Sequence, residues 1–425
     1  MRERIYKRKG IKEKSEKMNI KNKKIIICAS ALLIVSAIFS GDIFFVLSKD
    51  IQSQNDNALY LNNGNTLYVG GSGPGNYTKI QDAINDSKDG DTVFVYDDSS
   101  PYYESGVIDK SINFLGENKE TTIIDGRKDK EETVVMVEAP YVNISHFTIA
   151  GNKTGDNRDF IGIGLKRDAV AVTDCNLHGF VNAILSNWYV ANHVLSNCKI
   201  WDCTGAIDCP CGDFGEVGSN IISNCEIDAP SGVWINFNTI VSNCTFHNSK
   251  IVILDGSNNT LLNNHFNNGY IQIEYSSHTI LKSNTLEDSG LIIFGHGVED
   301  FHHDIDASNT MQGKPIYYFY NKKDMVIDKN SNTGYIILAL CQNITVKNLD
   351  LYGSVLAFSF NNTFENCSFY ENSVGLYLHN STCNSILRCN FENRYPLMIE
   401  QSCKNNISYC TFSRWVRDIQ IWHSS

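Results

Sequence analysis

Three groups of residues in this 425-residue chain have types and spacings that could do chemistry. His302-His303-Asp304, with Asp306 and His296 close by, offers imidazoles and carboxylates of the kind that hold a divalent metal ion. Cys203, Cys209 and Cys211, spaced C-x5-C-x-C, could hold zinc or copper(I) or close a disulfide, although no clear fourth ligand accompanies them. Arg158, Lys166 and Arg167 stand near Asp156, Asp159 and Asp168. A calcium-dependent lyase needs such a set: carboxylates for the ion, and a basic side chain to take the proton α to a uronate carboxyl. Each group also has a plain reading, because turn histidines and loop charges are ordinarily solvated and a cysteine-bearing insertion can be a bare loop.

A repeat must position these side chains. The pattern polar-Asn-Cys-x-apolar recurs, with small variations, at Cys175, Cys198, Cys225 and Cys244. It continues with Asn264 and Asn284 in the cysteine's place and, after a break, resumes at Cys367, Cys389 and Cys410. The intervals are 23, 27, 19, 20 and 20 residues, then 22 and 21, and such a period marks a solenoid. The 27-residue interval carries Cys203, Cys209 and Cys211, so its extra length predicts a protruding loop. Leucine-rich repeats are excluded by the absence of their LxxLxLxxN signature. Each unit instead offers runs such as Ile251-Val252-Ile253-Leu254, Ile271-Gln272-Ile273 and Leu291-Ile292-Ile293-Phe294, too short for helices and separated by Asn, Ser and Gly turns. Stacking each run on its counterpart makes parallel sheets with like residues about 4.8 Å apart. The predicted fold is all-β: a single-stranded right-handed parallel β-helix over residues 65–425.

The ends of such a tube expose unpaired strand edges and must be covered. Thr78-Lys79-Ile80-Gln81 fits a capping box, and Ile80, Ala83 and Ile84 share one face of a short helix preceding the strand Thr92–Val95, which predicts an N-terminal capping helix. The cysteines repeated in register point inward, where a thiol packs as a small hydrophobe. Adjacent rungs are near enough for a disulfide, but side chains on parallel neighbours point the same way, which suits the bond badly, so reduced packing is favoured over bridging. A second register is read for Cys341, Cys383 and Cys403.

Residues 1–24 carry eleven Lys or Arg against three Glu, a balance of +8, and form a basic cytoplasmic flank. The apolar stretch 25–47 comes next, a signal peptide or a transmembrane signal anchor, and 48–64 reads as a linker. Met18 offers a second start, which would leave a signal peptide of ordinary length. Either form exports the chain beyond Leu47, because the basic flank stays inside. The whole chain carries −11, so the residues after 24 carry −19, and the exported part is acidic and repels nucleic acid. Sequons such as Asn76-Tyr77-Thr78 and Asn143-Ile144-Ser145 are glycan acceptors, though an Asn-rich repeat also produces them by chance.

The opening LYVGGSGPGNYTKIQDAINDSKDGDTVFVYDDSSPYYE, then SINFLGENKETTIIDG, and the later NTMQGKPIYYFYNKKDMVID with GYIILALCQNITVKNLDL resemble archaeal surface β-helix proteins grouped with the NosD-like and pectin-lyase-like families. GKPIYYFYNKKD is the most specific part. The resemblance implies this fold and an exported location, not one activity. Gly295-His296-Gly297 also resembles the GHG of polygalacturonases, yet no Asn-Thr-Asp or paired Asp-Asp lies one or two coils upstream and no Arg-x-Lys lies downstream. The leading reading is a non-catalytic cell-surface rod, structural or adhesive, whose partners are glycans or cell-envelope components, with the membrane added through 25–47 if that segment is uncleaved. One alternative is a polysaccharide lyase or glycoside hydrolase, with Arg158, Lys166, Asp168 and His296 as catalytic candidates. Another, implied by the NosD-like resemblance, is a metal-handling accessory protein. The leading reading requires no cofactor; calcium belongs to the lyase and copper to the accessory protein.

The topology is testable. Protease added to intact cells should digest the chain beyond Leu47, whereas full protection until the cells are broken would place it inside.

Overall fold

The computed structural model describes residues 64–128, 131–152, 160–187, 190–209, 219–370, 374–413 and 419–424. The basic flank, the apolar segment 25–47, Arg158 and Cys211 lie outside them. Residues Leu61–Ser425 form one compact unit, and no helix among the described residues is long and apolar enough to cross a membrane.

The described residues from Gly64 to about Met311 wind into a right-handed parallel β-helix with three faces. Successive coils add strands to an eleven-stranded sheet that starts at Thr66–Val69, to the first nine strands of a fifteen-stranded sheet that starts at Ile123–Asp125, and to a nine-stranded sheet from Gly106–Ile108 to Gly290–Phe294; the other six strands of the fifteen belong to a second stack. Registers hold from coil to coil. Ile227 pairs with Phe246 and Phe246 with Phe266, and the two phenylalanine rings stack at 4.6 Å inside the tube. Ile251 and Ile253 align with Ile271 and Ile273, then with Leu291 and Ile293, all buried.

The Asn-Cys repeat makes the bend between the first two sheets. Asn224, Asn243 and Asn263 take left-handed backbone angles (φ 52°, 53° and 52°), which asparagine tolerates better than other side chains. The next residue then points inward. Cys175, Cys198, Cys225 and Cys244 are all buried there with free thiols; Cys367 and Cys389 are buried, and Cys410 half-buried, at the corresponding bend between a five- and a four-stranded sheet further along the chain. The Cys225 and Cys244 thiols each donate to the carbonyl two residues back, at 3.3 Å. From Asn264 onward the position is taken by amides. Cys244 N–H donates to Asn264 Oδ1, Asn264 N–H to Asn284 Oδ1 and Asn284 N–H to Asn309 Oδ1, at 3.0 to 3.1 Å. Their Nδ2 groups donate to the carbonyls of Val241, Leu261 and Leu281, so these buried amides are satisfied on both sides.

The second cysteine register is not formed. Cys341 N–H donates to Ser359 Oγ, and that ladder continues through Ser381 and Ser402. Cys383 is the left-handed residue two places beyond Ser381 (φ 57°), and its N–H donates to the Cys403 carbonyl. The three cysteines thus occupy three different places, because unequal coil lengths shift the spacing that suggested one.

A reversal comes after the first stack, where the sequence showed only a break in the repeat. Thr310–Met311 pairs antiparallel with the start of Lys314–Tyr320 through a tight turn at Gln312 and Gly313 (φ 49° and 73°). Every other strand pair among the described residues is parallel. Lys314–Tyr320, the heart of GKPIYYFYNKKD, therefore opens a second stack whose strands run the other way. Tyr335–Ala339 and Gly353–Ala357 are buried at all positions. Ile336, Leu338 and Leu356 fill the second core, while Tyr335, Ile337, Val355 and Ala357 join the first. Tyr335 Oη donates to the Leu291 carbonyl at 2.8 Å. The second stack thereby covers the last coil of the first.

At the other end, the helix Ile80–Asp86 buries Ile80, Ala83 and Ile84 as expected. The expected capping box is absent. The carboxylate of Glu104 takes the N–H groups of Ile80 and Gln81 at 3.0 and 3.2 Å, doing from another segment what Thr78 does not.

The inward ladder sets an expectation for unfolding measurements in denaturant. Cys225→Val nearly conserves volume and apolarity and should cost about 1 kcal/mol or less. Cys225→Asp buries a carboxylate among apolar neighbours and should cost several times that. Equal tolerance of the two would put the position at the surface.

Candidate functional site

The junction of the two stacks gathers polar side chains that sequence spacing does not. In Val374–His379, Leu376 and Leu378 enter the second core, so the alternation of a strand turns Tyr377 and His379 toward the first stack. His379 is 1% exposed, its ring stacked 5.7 Å from Phe301 and edge-on to Phe358 at 5.4 Å. The adjacent strand Tyr395–Glu400 places Glu400 directly beside it in register. Glu400 Oε2 accepts from Tyr377 Oη at 2.5 Å and lies 3.2 Å from His379 Nδ1.

This geometry assigns the His379 proton to Nδ1, where it can be donated to the carboxylate. Nε2 is then an acceptor, and it is buried with no hydrogen-bond partner. Burial pushes the His379 pKa below its ordinary value of 6.5 and outweighs Glu400, which pulls it up. Burial and the bond to Glu400 push the Tyr377 phenol up, so it stays a proton donor.

The first stack contributes an exposed aromatic pair. Tyr275 and His296 stack at 4.5 Å, and the negative charges of Glu274 and Glu400 help burial raise the Tyr275 phenol. Gly295-His296-Gly297 is a clamped turn: Asp300 Oδ2 accepts the N–H groups of His296 and Gly297 at 2.8 and 3.0 Å. A Cβ at Gly295 would lie 2.4 Å from Asp300 Cβ, so glycine there makes room for the clamp. Beneath the rim runs an apolar crevice lined by Leu291, Ile292, Phe294, Tyr335, Tyr377 and Met398, among others. Ring faces beside a rigid carboxylate suit a sugar, whose C–H surface stacks and whose hydroxyls donate. Glu400 is also placed to exchange a proton.

Of the residues singled out by sequence, His296 alone joins this group. Lys166 pairs with Glu138 at 2.8 Å on the surface, and Asp168 accepts the Ala191 N–H at 2.9 Å. Cys203 and Cys209 are buried in the first core, and Cys211 and Arg158 lie outside the described residues. His302-His303-Asp304 is split up. His303 is buried, with the Thr279 N–H on Nδ1 at 3.3 Å and Asp300 O beside Nε2 at 2.8 Å, so neither nitrogen is left for a metal. Asp304 pairs with Lys282 at 3.1 Å. His302 instead faces His278 and Glu299, which with it make the one group of three potential metal ligands among the described residues. Tyr275, Tyr377, His379 and Glu400 were missed. The signal that could have found two of them is the polar-aromatic pair Tyr377 and His379 alternating with Leu376 and Leu378 in a strand.

No family model matches the chain, and no curated protein matches it. Among solved structures, the catalytic domain of a GH87 α-1,3-glucanase in complex with nigerose is similar over 85% of this chain and 69% of its own, at 13% identity and a TM-score of 0.44. A PL6 alginate lyase in complex with a trisaccharide is similar over 84% and 90%, at 10% identity and a TM-score of 0.40. A tailspike capsular polysaccharide depolymerase of the Acinetobacter baumannii bacteriophage Fri1 is similar over 77% and 57%, at 14% identity and a TM-score of 0.34. At these identities and TM-scores the likeness carries no argument about this chain, whose β-helix rests on its own strand registers.

The His379 balance is measurable by tracking its imidazole resonances with pH. The expected midpoint is below 6.5, and lower still in Glu400→Gln, which removes the carboxylate that favours the charged ring. With the folded value below the unfolded one, this histidine's contribution to stability is full above about pH 6.5 and lost as pH falls through and below it. A midpoint above 6.5 would mean that the carboxylate, not burial, controls the ring.

Proposed function

We propose that this protein is an exported β-helix that binds carbohydrate at the junction of its two stacks, as a structural or adhesive surface component. The observation that carries the reading is the exposed Tyr275–His296 stack near a Glu400 carboxylate held by Tyr377 and His379. Export rests on the apolar segment 25–47 behind its +8 flank. The acidic body favours neutral glycans over acidic ones, since like charges repel at short range.

A second reading, a glycoside hydrolase or polysaccharide lyase, is favoured by the hydrogen-bonded set Tyr377–Glu400–His379, which joins a carboxylate, a phenol and a neutral imidazole. A lyase would use one of them to remove the proton α to a uronate carboxyl and another to protonate the leaving oxygen.

Screening the purified body on a glycan array should find a ligand whose affinity falls about tenfold or more in Tyr275→Ala and in His296→Ala, as expected when a stacking contact of a few kcal/mol is lost. A ligand bound equally by both variants would move the site elsewhere. Polysaccharide shortened by the parent chain and left intact by Glu400→Gln would replace the adhesive reading with the catalytic one.

A further inference from the structure

We propose that His278, Glu299 and His302 form a surface site for a borderline divalent transition-metal ion, of the class of zinc or copper(II). The three offer ligand atoms that all lie within 4.8 Å of one another. They come from two successive coils, and backbone bonds tie them together. His278 N–H donates to the His302 carbonyl at 2.6 Å, and His302 N–H donates to the Glu299 carbonyl at 2.9 Å, so the side chains spring from one braced patch.

The rings are oriented as well as close. His278 Nδ1 lies 3.0 Å from Ser277 Oγ, which is itself 2.9 Å from Ser257 Oγ in the coil before. That engagement leaves Nε2 as the free ligand nitrogen, the outer-shell arrangement by which proteins select a histidine's ligating atom. His302 stacks on Tyr320 at 4.7 Å with planes 12° apart, and its Nδ1 is 3.7 Å from Glu299 Oε2. Tyr320 belongs to the strand that opens the second stack, so the reversal itself supplies the ring that fixes His302. The buried His303 braces the same turn from beneath, between the Thr279 N–H and the Asp300 carbonyl.

Donor type selects the ion. Two imidazoles disfavour calcium and magnesium, which take oxygen ligands, and suit zinc, copper(II) or nickel. Three protein ligands, with His278 and Glu299 exposed, leave a further position open to water or an outside ligand. The site does not rest on the carbohydrate reading, and either can fail alone.

Cobalt(II) is a suitable probe, because its spectrum separates imidazole and carboxylate ligands from thiolates. Untagged full-length protein, stripped with chelator, should bind one Co2+ displaceable by Zn2+, with visible d–d bands and no thiolate charge-transfer band. Paramagnetic Co2+ should broaden the ring resonances of His278 and His302 in the unaltered chain, a readout that needs no variant. His278→Ala and Glu299→Gln should each weaken binding about tenfold or more. Binding within about twofold of the parent in the His278→Ala/His302→Ala double variant, a thiolate band, or sharp His278 and His302 resonances at saturation would each overturn the site.

Discussion

A parallel coil satisfies its backbone only through the coils above and below, so every β-helix has two ends at which that satisfaction stops. The helix Ile80–Asp86, held by Glu104, closes one end of the first stack. At the other, the chain folds back through Gly313 and lays a sheet buried on both faces across the last coil. The polar side chains at the junction result from that solution. Tyr377 and His379 face the first stack because Leu376 and Leu378 are needed in the second, and Tyr320 reaches His302 because its strand begins the return.

The coil architecture was legible because it is a local property repeated many times. Asn243 and Cys244 state a left-handed bend and then an inward side chain, and each recurrence strengthens the reading. The reversal was not legible, since Gln312-Gly313 looks like any other turn and only the antiparallel partner gives it meaning. The junction was half legible. His296 stands in a conspicuous glycine-flanked turn, but Glu400 meets Tyr377 and His379 through strand register, and these meet Phe294 and Phe301 respectively across the stacks. No spacing in the chain encodes that meeting. His302 shows the same limit: its sequence neighbours His303 and Asp304 are spent on Thr279 and Lys282, while its spatial partner His278 lies a coil away.

Burial and charge are balanced differently at the two histidine sites of the junction. His379 sits between phenylalanine rings beside a carboxylate, and its unpartnered Nε2 is tolerated because a neutral ring loses less than a charged one would. His278 lies at the surface with a hydroxyl on one nitrogen and solvent near the other. Residues of one type, about a hundred positions apart in sequence, are thus given opposite surroundings, one buried between rings and one exposed among polar groups, by what the two stacks place around them.

The coils between Cys225 and Asn284 are nearly interchangeable parts. Asn263 bonds Asn243, and Asn268 bonds Asn248, each across an offset of 20 residues, and the inward Cys244, Asn264 and Asn284 repeat at the same step. In a structure whose contacts are confined to nearest neighbours, such units can be duplicated or deleted whole without disturbing what lies beyond them. The length of the first stack is thereby uncoupled from the chemistry at its far end. Unequal crossover among the coils before Asn264 could alter how far the junction stands from the N-terminal cap while leaving Tyr275, His296 and Glu400 in the same relation to one another, so that reach and recognition are separate quantities for selection to act on.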